Sequence, residues 1–139
     1  MRRKVVIDSG PLIALFDKDD RYHERAREFI KNFKGELLTN YAVITEATHL
    51  LDFSVRAQTD LLQWILDGGI SVMEILADDL VRIMEIMRKY SDLPGDFADA
   101  TLIALCERFI IKEIASIDKD FTVYRLKDKQ GFKNVFYFQ

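Results

Sequence analysis

Two aspartates in this chain directly follow an apolar run of strand character: Asp8 closes Lys4-Val5-Val6-Ile7, and Asp118 closes Ile114-Ala115-Ser116-Ile117. In an open parallel sheet, ligands are handled in the crevice beyond the carboxyl ends of the strands, where the strand order reverses. If these two strands are central neighbours, both carboxylates enter that crevice. Each alone serves equally well as an Asx-turn residue; together they point to a site. Glu46 is a third acid. Val43 lies three residues before it and Leu50 four after, so Glu46 borders or enters the apolar stripe of its helix. A phase shift of a residue or two would instead swing it out to water. Asp99 is a fourth: Leu102, Ile103 and Cys106 follow at helical steps, which carries the buried stripe back to Asp99. A first-turn acid also suits the helix dipole, the other reading of this residue. Asp96, just after Pro94-Gly95, reads as an N-cap able to reach the same place through water.

Four carboxylates converging on one cleft repel one another, and their pKa values rise unless a counter-ion is present. An all-oxygen donor set selects a hard cation, Mg²⁺ or Mn²⁺, one ion or two. His23, His49 and Cys106 do not form a zinc pattern. His23 falls in the first turn of its helix and His49 on a helix flank. Ser9 adjoins Asp8 but has no evident His partner, which argues against a serine triad.

The elements that must position these acids alternate. Strands are predicted at Lys4–Ile7, Glu36–Thr39, Ile70–Leu76, Lys112–Ile117 and Asn134–Phe138. A short helical turn is predicted at Pro11–Phe16, and helices at Arg21–Phe33, Tyr41–Asp52, Val55–Leu66, Asp79–Tyr90 and Phe97–Phe109. Asp20 is expected to cap the second of these and Gly35 to end it; Gly68-Gly69 closes the fourth. In the fifth, Leu80, Ile83, Met84 and Met87 share one side. Strands separated by helices imply a three-layer α/β sandwich with a mostly parallel sheet of four to five strands.

The bulk properties agree. The 139 residues suit one domain over 1–139; 49% hydrophobic and 31% charged composition suits a protein with a real core, and no apolar run is long enough to cross a bilayer. After the basic head, three apolar residues end in Asp8, which is not a secretory signal. Cys106 has no internal partner, so a reducing, cytoplasmic setting is expected. The net charge of −3 counts against a plain nucleic-acid-binding module, which is usually basic. It is compatible with an acidic pocket whose cation meets a phosphate. Arg21, Arg25, Lys112 and Lys119 are candidates for phosphate contact, though a solvated surface suits each one better.

Five blocks carry a resemblance over nearly the whole chain. They are Val5-Val6-Ile7-Asp8-Ser9-Gly10-Pro11-Leu12-Ile13-Ala14-Leu15-Phe16, Asp19-Asp20-Arg21-Tyr22-His23-Glu24-Arg25-Ala26, Leu38-Thr39-Asn40-Tyr41-Ala42-Val43-Ile44-Thr45-Glu46-Ala47, Leu93-Pro94-Gly95-Asp96-Phe97-Ala98-Asp99-Ala100-Thr101-Leu102, and Ala115-Ser116-Ile117-Asp118-Lys119-Asp120-Phe121. In this order and spacing the chain resembles the PIN-domain family, in particular the toxin component of VapBC-type toxin–antitoxin pairs. The resemblance implies a sheet order 3-2-1-4-5, metal-dependent endoribonuclease activity, dimerisation, and inhibition by an antitoxin partner. It assigns the acidic set to Asp8, Glu46, Asp99 and Asp118, with Asp8 and Asp99 on the metal and Glu46 and Asp118 orienting water or holding a second ion. Ser116 stands where the family more usually has Thr. Asp120 competes with Asp118, which is favoured as nearer the strand end, with Phe121 anchoring the turn. Asp96, Ser9, Ser116 and Asp120 are secondary positions.

The expected chemistry is hydrolysis of an RNA phosphodiester by metal-activated water. Three alternatives are a PIN-fold RNA-processing nuclease without an antitoxin, a nuclease fold turned binding protein, and a phosphate-binding α/β signalling domain of receiver type. The last wants an Asp ending the third strand and a Lys ending the fifth, and the sequence supplies neither.

Overall fold

A computed structural model describes residues 2–93 and 96–137. The pair Pro94-Gly95, expected to break the chain, and Phe138, expected to end the last strand, lie outside the described residues. The order is β1 (Lys4–Ile7), α1 (Ser9–Phe16), α2 (His23–Asn32), β2 (Glu36–Thr39), α3 (Tyr41–Leu50), α4 (Val55–Leu66), β3 (Ser71–Val72), α5 (Asp79–Lys89), α6 (Phe97–Phe109), β4 (Glu113–Ala115) and β5 (Lys133–Asn134). A 3-10 turn at Lys119–Thr122 follows β4.

The five strands form one parallel sheet in the order β3-β2-β1-β4-β5. This is the 3-2-1-4-5 arrangement in a three-layer α/β fold. Val5, Val6, Ile7, Leu38, Ile114 and Ala115 are all at most 1% exposed. Such unbroken apolar strands are what a sheet covered on both faces requires. Each large aliphatic side chain removed from water contributes roughly 1.5–3 kcal/mol. No helix among the described residues is long and apolar enough to cross a membrane.

The register fixes the site. Val6 pairs with Ile114 and Ile7 with Ala115, so Asp8 and Ser116 emerge together beyond the ends of β1 and β4. The Asp8 N–H donates to Ala115 O at 3.0 Å and closes the ladder there. From β1 the chain moves to β2 on one side, while β4 lies on the other, so this is the point where strand order reverses. The chain enters β2 through Gly35, whose φ of +143° and 2.5 Å Cβ approach to Arg3 O leave no room for a side chain.

Several predicted boundaries differ. The first helix begins at Ser9, with Asp8 itself as its N-cap residue, not at Pro11. Asp20 does not cap α2: its Oδ1 accepts from Tyr22 N at 2.8 Å, an Asx turn one step ahead, and the helix starts at His23 behind Tyr22. The third strand shrinks from 70–76 to Ser71–Val72. Its partner β2 ends at Thr39, where Met73 N makes the last bond to Thr39 O, because Asn40 turns away to cap α3. The fourth strand shrinks to Glu113–Ala115, and the fifth, expected from Asn134 onward, is Lys133–Asn134, starting one residue earlier and sharing only Asn134 with the expected range. On α5 the buried apolar residues are Ile83 and Ile86, while Leu80, Met84 and Met87 are exposed. The face turned to α6 is set by ion pairs, Asp79 to Arg108 at 2.7 Å and Arg82 to Glu107 at 2.8 Å. These charged residues share the stripe of Ile83 and Ile86 and rotate the helix away from its most apolar side.

Candidate active site

All four acids singled out in the sequence line one cleft of about 290 Å³, together with Asp96, Ser9 and Gly10. Asp8 reaches it from the end of β1 and is 4% exposed. Its Oδ1 accepts from Ser9 N at 2.8 Å and its Oδ2 from the Ser116 hydroxyl at 3.1 Å. Ser9 also serves Glu46: its hydroxyl donates to Glu46 Oε1. Glu46 is half-buried on α3, the flank position its spacing allowed. The stripe beside it is Val43, Ile44, Ala47 and Leu51, while Leu50 is 52% exposed and lines the cleft mouth.

Asp99 is 6% exposed in the first turn of α6. Asp96 caps that helix, accepting the Asp99 N–H at 3.2 Å, as its position predicted. Asp118 is exposed, its N–H donates to Ser116 Oγ at 3.1 Å, and its Oδ1 accepts from Asp120 N at 2.9 Å. Phe121, 2% exposed, anchors this turn.

Burial is the largest cause of each pKa shift here. It raises Asp8 to about 6, with the Asp118 and Asp96 charges adding and the Ser9 and Ser116 hydrogen bonds opposing. It raises Glu46 to about 7, helped by the carboxyl of Asp96. Asp99 rises to about 8, through burial and then the charge of Asp8, against the stabilising bond from Tyr124. Asp120 shifts upward too, through burial and then Asp118. Acids so placed are short of positive charge.

Three observations fit a hard cation. Asp99, Asp118 and Asp120 can each bring one oxygen within 4.8 Å of the others. Asp120 Oδ2 is buried with no hydrogen-bond partner among the described residues. The donor set is all oxygen. Asp120 therefore enters the cluster beside Asp118, rather than merely competing with it. A separate cleft of about 260 Å³ at the far end of α6 has its acids paired with bases: Glu107 is held by Arg82, and Asp128 lies 3.8 Å from Lys112.

A model of the PIN domain family matches residues 5–127. The chain belongs to the PIN domain family. Ribonuclease VapC26 of Mycobacterium tuberculosis (strain ATCC 25618 / H37Rv) is 25% identical over 117 residues, covering 83% of this chain and 87% of that protein. The crystal structure of Mycobacterium tuberculosis VapC20, a sarcin-ricin loop cleaving toxin, matches at TM-score 0.79 and 21% identity, covering 86% of this chain and 93% of that one. A toxin–antitoxin complex from Klebsiella pneumoniae matches at TM-score 0.63 and 18% identity, covering 84% and 89% of the respective chains.

Around the acids, this PIN domain has supports that sequence reasoning missed. Asn40 caps α3 through Val43 N and donates to Thr101 Oγ1 at 3.1 Å, tying the helix of Glu46 to that of Asp99. Asn134 holds Ser116 by both backbone groups, accepting its N–H at 3.2 Å and donating to its carbonyl at 2.8 Å. Tyr124 donates to Asp99 Oδ2 at 3.0 Å. Asn40 carried a signal, an N-cap residue just before an apolar helix; Asn134 and Tyr124 carried none, since their partners are distant in sequence.

Of the basic residues considered for phosphate contact, Arg25 is spent on the carbonyls of Phe136 and Tyr137, and Lys112 on Gln130. Arg21 lies over the Tyr22 ring. Lys119 remains exposed next to Asp118. His23 Nδ1 is 2.8 Å from Ala14 O and His49 is exposed, so neither enters the cleft.

Proposed function

We propose that this PIN domain is an Mg²⁺- or Mn²⁺-dependent endoribonuclease, the toxin of a type II toxin–antitoxin pair acting in the cytoplasm. The observation that carries the reading is the meeting of Asp8, Glu46, Asp99 and Asp118 in one cleft. The relatives named ribonuclease and toxin support the substrate class and the antitoxin partner.

Asp8 and Asp99 are the proposed holders of the cation, with Asp118 and Glu46 orienting water or holding a second ion. When bound, a divalent cation supplies a Lewis acid toward the phosphate and acidifies water at neutral pH. The Ser9 and Ser116 hydrogen bonds fix both oxygens of Asp8, so that its geometry is set before anything binds. Glu46, oriented by the Ser9 hydroxyl and raised toward neutrality, is placed to accept a proton from water entering the cleft. Asp96 holds the first turn of α6, and thereby Asp99, in place. Asp120 adds a carboxylate oxygen within 4.8 Å of those of Asp99 and Asp118. Lys119 is the remaining basic candidate for contact with the RNA backbone. Exposed Leu80, Val81, Met84 and Met87 on α5 give an apolar surface suited to a second copy or to the antitoxin.

The test is cleavage of labelled RNA by protein prepared free of contaminating nucleases. Cleavage is expected with Mg²⁺ or Mn²⁺, loss of it with EDTA, and recovery with excess Mn²⁺. Cleavage at an unchanged rate in EDTA would exclude the reading.

A further inference from the structure

Tyr124 touches the acidic set from the protein interior. Its side chain is 2% exposed, and its hydroxyl lies 3.0 Å from Asp99 Oδ2. The ring is held edge-on by Phe121 and Tyr90, each with centroids 5.0 Å away. The Tyr90 hydroxyl itself accepts the N–H of Arg125 at 2.9 Å, so it is the Tyr90 ring that bears on Tyr124. The phenol therefore has little freedom to turn away from the carboxylate.

Asp99 is thus constrained at two levels. Its backbone N–H is tied to Asp96 by the helix cap, and its carboxylate is tied to Tyr124 by the phenol. We infer that Tyr124 is a positioning residue, which presets the orientation of the Asp99 carboxylate for a divalent cation. The inference rests on the reading of Asp99 as a metal-holding acid. The chemistry of the donor suits the task. A neutral hydroxyl engages one oxygen and leaves the carboxylate its charge. A lysine or arginine there would neutralise that charge and compete with the cation. Carboxylates that hold metals are commonly fixed by such outer partners, and losing one typically weakens metal affinity by about 10–100-fold.

The experiment is Mn²⁺ binding to the full chain, followed by electron paramagnetic resonance and calorimetry, in the wild type and three variants. Tyr124→Phe deletes the hydroxyl and keeps the ring contacts; it is expected to weaken Mn²⁺ binding by about 10-fold or more without loss of the cooperative thermal transition. Tyr90→Phe removes a hydroxyl from the same aromatic cluster without touching a carboxylate, and is expected to bind Mn²⁺ within about twofold of wild type. Equal weakening in both would assign the effect to packing and overturn the inference. Asp99→Asn separates the two levels of the argument. If it binds Mn²⁺ like the wild type, the metal-site reading itself fails. If it loses binding while Tyr124→Phe binds normally, only the role of Tyr124 is overturned.

Discussion

Asp8→Asn is expected to reduce metal-dependent RNA cleavage by at least about 10³-fold while leaving the fold intact. The loss follows from what the residue supplies. Removing an outer partner of a metal ligand typically costs about 10–100-fold, and removing one preorganised electrostatic contact about 10²–10³-fold; Asp8 is the most buried acid lining the cleft, at 4% exposure. The fold survives because asparagine is isosteric. Its carbonyl can accept the Ser9 N–H, and its amide can donate to Ser116 Oγ, whose own proton turns to the Asp118 carbonyl 3.4 Å away. The variant also loses a desolvated charge. A rise in the carboxyl from 3.8 to about 6 corresponds to roughly 3 kcal/mol against the ionised form. Metal-free Asp8→Asn should therefore melt at or above the wild-type temperature. Cleavage at wild-type rates, or collapse of the thermal transition, would each contradict this assignment.

The second large effect links pH, metal and stability. In the metal-free protein Asp8, Glu46 and Asp99 have pKa values of about 6, 7 and 8, against about 4 in the unfolded chain. Between these limits the native state holds more protons than the unfolded one, so stability falls as pH rises. Below about pH 4 both states are protonated and this contribution disappears; above about pH 8 the full penalty is present. A divalent cation reverses the slope, because it binds the ionised acids and competes with protons. The thermal midpoint of metal-free protein should decline from pH 5 to pH 8, and the upward shift caused by Mn²⁺ should grow over the same range. Asp99→Asn removes the acid with the highest value. At pH 8 without metal it should raise the midpoint by roughly 5 °C or more, and it should abolish most of the Mn²⁺ shift. A midpoint that rises with pH in EDTA would show that the acids are not held apart from water as described.

The parts of this site that could be read from the sequence are those where local pattern and three-dimensional position coincide. Asp8 follows β1 directly at the reversal point of a parallel sheet, and a strand end at that point has one place to go; Asp118 instead lies three residues past the end of β4, as the N-cap of the 3-10 turn, with Ser116 in the strand-end position. Asp99 prolongs a buried helical stripe, and its burial at 6% exposure follows from that phase. Asp96 was readable as a cap. The sheet order came through the family resemblance. The strand ends were misjudged where a side chain replaces a backbone partner. Asn40 diverts β2 into α3, so the pairing of β3 with it ends with the bond from Met73 N to Thr39 O. Asn134 takes both backbone groups of Ser116, ending β4 sooner than its apolar run suggests. The face of α5 was misjudged because hydrophobicity alone ignores Asp79 and Arg82, whose ion pairs to α6 decide which side is inward. Tyr124 was invisible because its partner Asp99 lies 25 residues away across the fold.

The most direct measurement is an anomalous difference map at the manganese edge, from crystals grown with MnCl₂ near pH 8, where Asp8 and Glu46 are largely ionised and the cation need displace only the remaining proton of Asp99. A peak bonded to carboxylate oxygens of Asp8 and Asp99 at about 2.1 Å, the scale of hard-cation ligation, with Asp118 or Glu46 reaching it directly or through water, is the predicted result. A map with no peak in that cleft, and the carboxylates turned away from one another, would contradict it.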